Sequence, residues 1–563
     1  MASTSFSLAQ VRGRRVSTSI LVTFLGAVSL LVTACGGTSG TGNTTKHTLT
    51  AICSVGGSYT ENMSPFSPNV NCGVDGLVYE NLEYVNGING KETPMLGTGY
   101  TWDSNNTTLT FKTRQGVKWS DGTAFSANDV AFTFNMLKTY PTADGNGLWQ
   151  HLASVAATDD STVVFTFQSA FPTDLPFIEG TYIVPQHLWS SIGDPTKFVN
   201  QAPVGTGPMK LKSFSPQIIS YVKNPSYWQA NLVKVDELDY PVVSSNDVAL
   251  EKMEAGQADW TAIFDPAVNA FVQKDSAHNY SYPVPVVPAQ LVPNLKNPLL
   301  GQLAVRQAIS MALDRHEMSV SGEAGFEPPA SPTGLMPGQE AYLSAQYNGT
   351  LPSFGPANPS GADALLQQSG FTKGADGIYA DAHGHKLSFK VTVPGDFSDY
   401  VADLQIAQQS LKAAGIDLQL NKVSDDDWRT DRASHNFDLI MTGGFFGPTP
   451  YYYLEPLLDS THISGANATN WEQWNDPTTD HLLTQYASTS DPAAQKQAIQ
   501  GLTDIMAKDL PVIPVLDAVQ FFEYTTTHWT GWPTSQDPYA IGSSYQLAAG
   551  DNEQVILHLQ PVS

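Results

Sequence analysis

The sequence predicts an α/β protein of two lobes joined by a hinge, and three observations carry that expectation. At 563 residues the chain is too long for one hydrophobic core, so it divides into two to four domains. Between Lys386 and Leu420 an alternating strand, a helical stretch (Val401, Leu404, Leu411, Ala414) stopped at Gly415, and a second strand (Ile416, Leu418, Leu420) follow in the order of a βαβ unit. Finally, Tyr280–Leu295 and Asp509–Phe522 are both proline-marked and extended, the first by Pro283, Pro285, Pro288 and Pro293. Two such crossings far apart in sequence are what a hinge needs.

Composition narrows the function before any motif does. Hydrophobic residues make up 41% and charged residues only 14%, against about 25% in an average globular protein, which suits the surface of an exported chain. With 28 Lys and Arg against 53 Asp and Glu, the net charge of −25 argues against nucleic-acid binding. The same charge holds the protein off anionic lipid unless something tethers it.

Residues 1–35 supply an expected tether. Arg12, Arg14 and Arg15 precede an apolar run, Ile20–Val32, too short for a comfortable membrane span. It closes on Leu31-Val32-Thr33-Ala34-Cys35-Gly36, which resembles the bacterial lipobox. That resemblance implies signal-peptide removal and lipidation of Cys35; an ordinary signal peptide with an incidental cysteine is the alternative. Residues 36–45 read as a flexible linker. For Cys53 and Cys72 two states stay open, a disulfide closing a loop of about 20 residues or two buried thiols. No metal-ligand spacing is present among the cysteines.

Taken in order, Leu49–Val55 is a first strand and Tyr59–Val70 (YTENMSPFSPNV) a loop. Leu109 and Phe111 alternate in a strand, and Ser126 caps a helix with Asp129 at N3 and Val130, Phe134 and Leu137 on one face. In Pro203–Trp228, Gly205 and Gly207 force a tight turn before a hairpin whose first strand buries Met209, Leu211 and Phe214. Val305, Ala308, Ile309, Ala312 and Leu313 fall at helical spacing beside the structural charges Arg306, Asp314 and Arg315. Phe437–Gly444 is a further buried strand.

Several of these strings, FKTRQGVKWSDGTAFSANDVAFTF, VGTGPMKLKSF, KNPSYW and AVRQAISMALDR, together resemble the extracytoplasmic solute-binding proteins of ABC importers, family 5, the peptide and nickel class. The resemblance runs through nearly all of the mature chain. It implies the periplasmic-binding-protein fold with an extra inserted domain. On that pattern, domain I takes residues 46–84, 185–287 and 521–563, the inserted domain 85–184, and the second lobe 288–520. It also implies a lipid-anchored monomer on the outer face of the bacterial cytoplasmic membrane, delivering ligand to permease subunits and their ATPase. No catalysis, cofactor or metal is expected. The loop carrying Asn62 and Phe66 resembles the family's cleft segment.

A search for an enzyme motif finds no G-x-S-x-G, P-loop or H-E-x-x-H. Asp425, Asp426 and Asp427 read as a solvated helix start, and Asp381, His383 and His385 as a hairpin tip rather than metal ligands. Aromatic residues on glycine- and proline-rich stretches are more informative: Phe445, Phe446, Tyr451, Trp529 and Trp532. Flat rings stack on sugar faces. Peptide-binding members carry an aspartate after the strand matching Phe437–Gly444, where it holds the peptide's amine. This chain has no acid between Gly444 and Glu455. An oligosaccharide ligand is therefore favoured over an oligopeptide or dipeptide, with a secreted glycan-active enzyme or a ligand sensor as readings of another class.

Overall fold

The computed structural model describes residues 46–464, 468–545 and 549–562. The expected signal peptide, Cys35 and the linker lie outside the described residues. No helix among those described is long and apolar enough to cross a membrane.

The first lobe is built on a seven-stranded sheet ordered Asn279–Ser281, Glu523–Thr525, Trp260–Thr261, Thr48–Ile52, Glu237–Pro241, Ile218–Lys223, Met209–Ser215. Thr48–Ile52 sits at its centre, parallel to both neighbours, and buries Leu49, Ala51 and Ile52. The expected hairpin forms the edge, with Ser215 paired to Ile218. Of its predicted inward face Met209 is fully buried, and Leu211 and Phe214 are half-buried against the first-lobe core; the register shift between Leu211 and Ser213 keeps Phe214, opposite Ile219, on the same face as Leu211, opposite Tyr221. Gly205 and Gly207 have a different origin from the turn expected of them. A Cβ on either would stand 1.8 Å from Val78 O or 2.4 Å from Leu77 O, so glycine is required by close backbone approach. The amide of Gly207 donates to Val78 O and that of Met209 to Leu77 O.

Beside this lobe, Gly97–Trp102, Thr108–Thr113, Thr162–Phe167 and Leu152–Asp159 form an antiparallel sheet covered by helix Ala127–Thr139. The helix starts as expected: Ser126 caps it, and Asp129 reaches back to the Ser126 amide. Phe134 meets Phe165 edge-on at 4.8 Å in the core between helix and sheet.

The second lobe carries a five-stranded sheet ordered Asp417–Val423, Ser388–Pro394, Leu439–Gly443, Val284–Pro293, Ile513–Gln520. Ser388–Pro394, helix Ser398–Ala413 and Asp417–Val423 make the expected βαβ unit, its strands parallel from Ser388↔Asp417 to Pro394↔Val423. Gly415, at φ +78°, ends the helix in the left-handed conformation. Arg306 and Arg315 are buried and donate to carbonyls, Arg306 to Leu300, Leu510 and Asp509, and Arg315 to Ser310 and Pro514.

The two proline-marked segments pass from one sheet to the other side by side. Ser281 lies in the first sheet and Val284 in the second; Gln520 lies in the second and Glu523 in the first. Between them the Tyr282 amide donates to Phe522 O. Cys53 and Cys72 are joined by a disulfide, which settles the alternative left open above.

Carboxyls are buried close to these crossings without cationic partners. Burial raises Asp517 and Glu523 to about 8, and raises Glu327, whose Oε1 accepts the Val519 amide. The folded protein therefore holds protons that the unfolded chain releases above about pH 4. Exposed carboxylates held low, such as Asp103 and Asp159, have ionised in both states by then and do not oppose the effect. Stability should fall as pH rises from about 5 to about 8. Thermal denaturation across that range tests this, and a melting temperature that climbs with pH would contradict it.

Candidate functional site

A cavity of about 840 Å³ lies between the lobes. One wall comes from the inserted region: the Gly145–Gly147 loop, His151, and the turn from Phe171 through Asp174 into helix Leu175–Gly180. The facing wall follows strand Leu439–Gly443, where the chain leaves the sheet at Gly444 and runs through Phe445 and Phe446 into helix Tyr451–Leu458. Smaller cavities continue from it past Gly145 and Asn146, so one cleft runs between the walls. The walls touch: Tyr452 Oη donates to Thr173 O at 2.8 Å, and Phe177 meets the Tyr452 ring edge-on at 5.3 Å. Phe446 reaches Gly87, where a Cβ would stand 2.3 Å from its Cζ.

Aromatic faces and acids line this cleft. His151 stacks on Phe171 at 3.6 Å and hydrogen-bonds through Nδ1 to Asp174 at 2.9 Å. Phe445 tilts against Trp471, which with Trp428 sandwiches the Arg432 guanidinium at 4.1 and 4.2 Å. None of the described residues lining the main cavity is a Lys or Arg. Three of them are acids, Asp174, Glu455 and Asp459. Burial, with Asp459 and Asp174 nearby, lifts Glu455 to about 8, so it is mostly protonated at neutral pH. Burial also raises Asp174, against the lowering effect of His151.

The structure gathers some of the sequence-predicted residues and separates others. Phe445, Phe446 and Tyr451 line the main cavity. Tyr451 is a wall rather than a free platform, 5% exposed and stacked on Tyr486 at 4.3 Å. Phe66 lines an adjoining cavity and packs edge-on against Trp189. Asn62 does not line these cavities: its side chain reaches Ser67 Oγ and the Ser64 amide, and its own amide donates to Asn71 Oδ1, so it shapes the loop.

Trp529 and Trp532 need correction. Both are buried, 1% and 5% exposed, in the first-lobe core beside Trp260, Phe522 and Tyr524. Trp532 Nε1 donates to Thr525 O and Trp529 O. Glycine next to Trp532 does not signal an exposed loop. Gly531 allows a close pass against His558 O at φ +91°, which brings the ring inward. Sequence reasoning missed His151, Phe171, Asp174 and Phe177, for they belong to no motif and meet the second lobe only on folding. It also treated the absence of acid between Gly444 and Glu455 as the absence of acid from the site. Asp174, Asp459 and Glu455 itself supply it from outside that interval.

Comparison with known proteins bears on this geometry. The profile of bacterial extracellular solute-binding proteins, family 5 Middle, matches residues 91–465. The glutathione-binding protein GsiB of Escherichia coli K12 is 24% identical over 439 residues, 75% of this chain and 80% of its own. A periplasmic oligopeptide-binding protein from Thermotoga maritima superposes with a TM-score of 0.85 at 24% identity, covering 92% of this chain and 99% of that one. Its mannohexaose-bound form gives 0.78 with the same identity and coverage. The oligopeptide-binding protein AppA of Bacillus subtilis, in complex with a nonapeptide, gives 0.71 at 19% identity, covering 92% and 100%.

The burial of Trp532 yields a direct expectation. Trp532→Ala should cost about 3–5 kcal/mol of stability, read as a lowered denaturation midpoint. An unchanged midpoint would return the ring to a surface role.

Proposed function

The chain belongs to the bacterial extracellular solute-binding proteins of family 5, and on that premise we propose that it captures an oligosaccharide in the interlobe cleft for delivery to an ABC permease. The family's members are the binding components of importers, not enzymes. The observation that carries the ligand reading is the main cavity itself, about 840 Å³, walled by Phe171, Phe445, Phe446 and Tyr451, with no Lys or Arg among its described lining residues. A neutral oligomer with hydroxyls on its edges and C–H faces suits such walls: rings cover the faces, and Gln150, Thr173 and the acids can accept or donate at the edges. A carboxylate placed in the main cavity itself would meet no Lys or Arg, those of the cleft being Arg429 and Arg432 in an adjoining cavity. Analogy of fold serves both ligand classes, the Thermotoga protein having been solved with mannohexaose and the Bacillus AppA with a nonapeptide.

A second reading rests on Asp174, Glu455 and Asp459. Three acids in one cavity can receive an ammonium, the group an oligopeptide offers at its N-terminus. In either case binding favours a closed form that the permease recognises. Cys35 carries the lipid anchor in this proposal, holding the monomeric protein to the outer face of the cytoplasmic membrane. The sites and domain limits expected from the sequence are part of the same proposal, with Trp529, Trp532 and Asn62 removed from direct ligand contact.

Native mass spectrometry of the purified chain, followed by calorimetry with manno- and cello-oligosaccharides and free-amine peptides, tests the ligand. We expect a sugar to bind without being shortened, and Phe446→Ala to weaken it by roughly 3- to 10-fold. Peptide binding that is lost in Glu455→Gln, with no sugar bound, would replace the first reading with the second. Cleavage of the sugar would overturn both.

A further inference from the structure

Three glutamates converge at the side of the cleft. Glu83 lies on strand Glu83–Val85, Glu92 on the antiparallel strand Glu92–Pro94, and Glu179 near the end of helix Leu175–Gly180. One carboxylate oxygen from each lies within 4.8 Å of the others. Glu179 is fully buried and Glu83 is 3% exposed, while Glu92 faces solvent. Among the described residues, neither Glu179 oxygen meets a hydrogen-bond donor, nor does Glu83 Oε1.

The backbone holds this arrangement in place. Asn81 Nδ2 donates to the carbonyls of both Glu83 and Glu179, and the Leu82 amide donates to Glu179 O. The two buried side chains therefore cannot drift apart by a shift of strand against helix. The charged neighbours acting on Glu179 are Glu92 and Glu83, and the one acting on Glu83 is Glu92; no cationic side chain is among them. Tyr100 Oη donates to Glu92 at 3.2 Å, which orients that carboxylate without neutralising it.

Buried like charges this close need a counter-ion or bound protons. A proton between two carboxyls serves two oxygens and leaves the third carboxylate repelled. A cation at the centre serves all three. Calcium takes oxygen ligands at about 2.3–2.6 Å in flexible geometry, whereas magnesium demands near-ideal octahedral geometry and keeps several of its waters, so a set of three protein carboxylates suits calcium better. The donors are all carboxylate oxygens, the hard set that calcium takes, with no nitrogen or sulfur to favour zinc or nickel. We propose that Glu83, Glu92 and Glu179 form a binding site for a divalent cation of the calcium type.

Glu83 also lines the small cavity behind Phe446, together with Val85, Gly87 and Phe177, and this gives the ion a path from solvent. The ion would brace the Glu83–Pro94 hairpin against the helix that carries Phe177 into the cleft wall. The site does not depend on which solute fills the main cavity.

The full chain, stripped with a chelator, is titrated with calcium by calorimetry and with terbium by emission sensitised through Tyr100. One calcium per chain is expected, competing with terbium and raising the melting temperature. Glu92→Gln changes an exposed residue and should fold normally, and it should weaken calcium by at least roughly tenfold. Glu179→Gln removes buried repulsion and should melt at the same temperature with calcium as with chelator. The proposal fails if the wild-type chain melts identically in millimolar calcium and in chelator, if Glu92→Gln binds calcium as tightly as wild type, or if magnesium binds as tightly as calcium.

Discussion

Everything about the cleft depends on two strands that lie side by side while changing sheets. Val284–Pro293 and Ile513–Gln520 pair along the second lobe, and one step beyond their ends the same chains join the first-lobe sheet. The Tyr282 amide bonded to Phe522 O ties the crossings together at the point of transfer. Prolines at 283, 285 and 288 remove amides that a regular ladder would use, and the register shifts at Pro285/Val287 and Ala289/Gln290 accommodate them. Because proline also fixes φ, bending is confined to the few residues between the sheets.

Two unlike walls face each other across the cleft. The inserted region offers a stiff turn, Phe171–Asp174, anchored by the His151–Asp174 hydrogen bond and the His151–Phe171 stack. The second lobe offers Phe445 and Phe446 on a segment leaving a central strand, so their backbone is set by the sheet although the rings reach beyond it. The Tyr452–Thr173 bond and the Phe446–Gly87 contact are places where the two walls meet. Burial keeps Glu455 largely protonated, so it acts as a hydrogen-bonding group as much as a charge. Glu179 lies on the same short helix as Phe177, and Glu83 lines the small cavity beside it.

Local pattern made much of this legible in advance. The βαβ unit from Lys386 to Leu420, the Ser126–Asp129 cap and the two proline-marked crossings each depend on residues close in sequence, and each is found as expected. Gly205 and Gly207 were visible too, but their reason was not. It lies in the backbone at Leu77 and Val78, over a hundred residues away.

What the sequence determined by itself was the family, through the resemblance of several strings taken together, and the α/β lobes and the hinge, since periodicity, capping and proline placement are encoded within short windows. Tertiary structure alone decided which aromatic residues face the cleft. Trp532 and Phe446 both follow glycine-containing stretches, yet one is drawn into a core by its indole N–H bonds while the other has Gly87 across the cleft from it. The same is true of the acids. Glu83, Glu92 and Glu179 are separated by up to about a hundred residues with no motif between them, and Asp174 and Glu455 by far more. Side-chain charge is written in the sequence, but mutual distance and burial, which set what those charges can bind, exist only once the chain has folded.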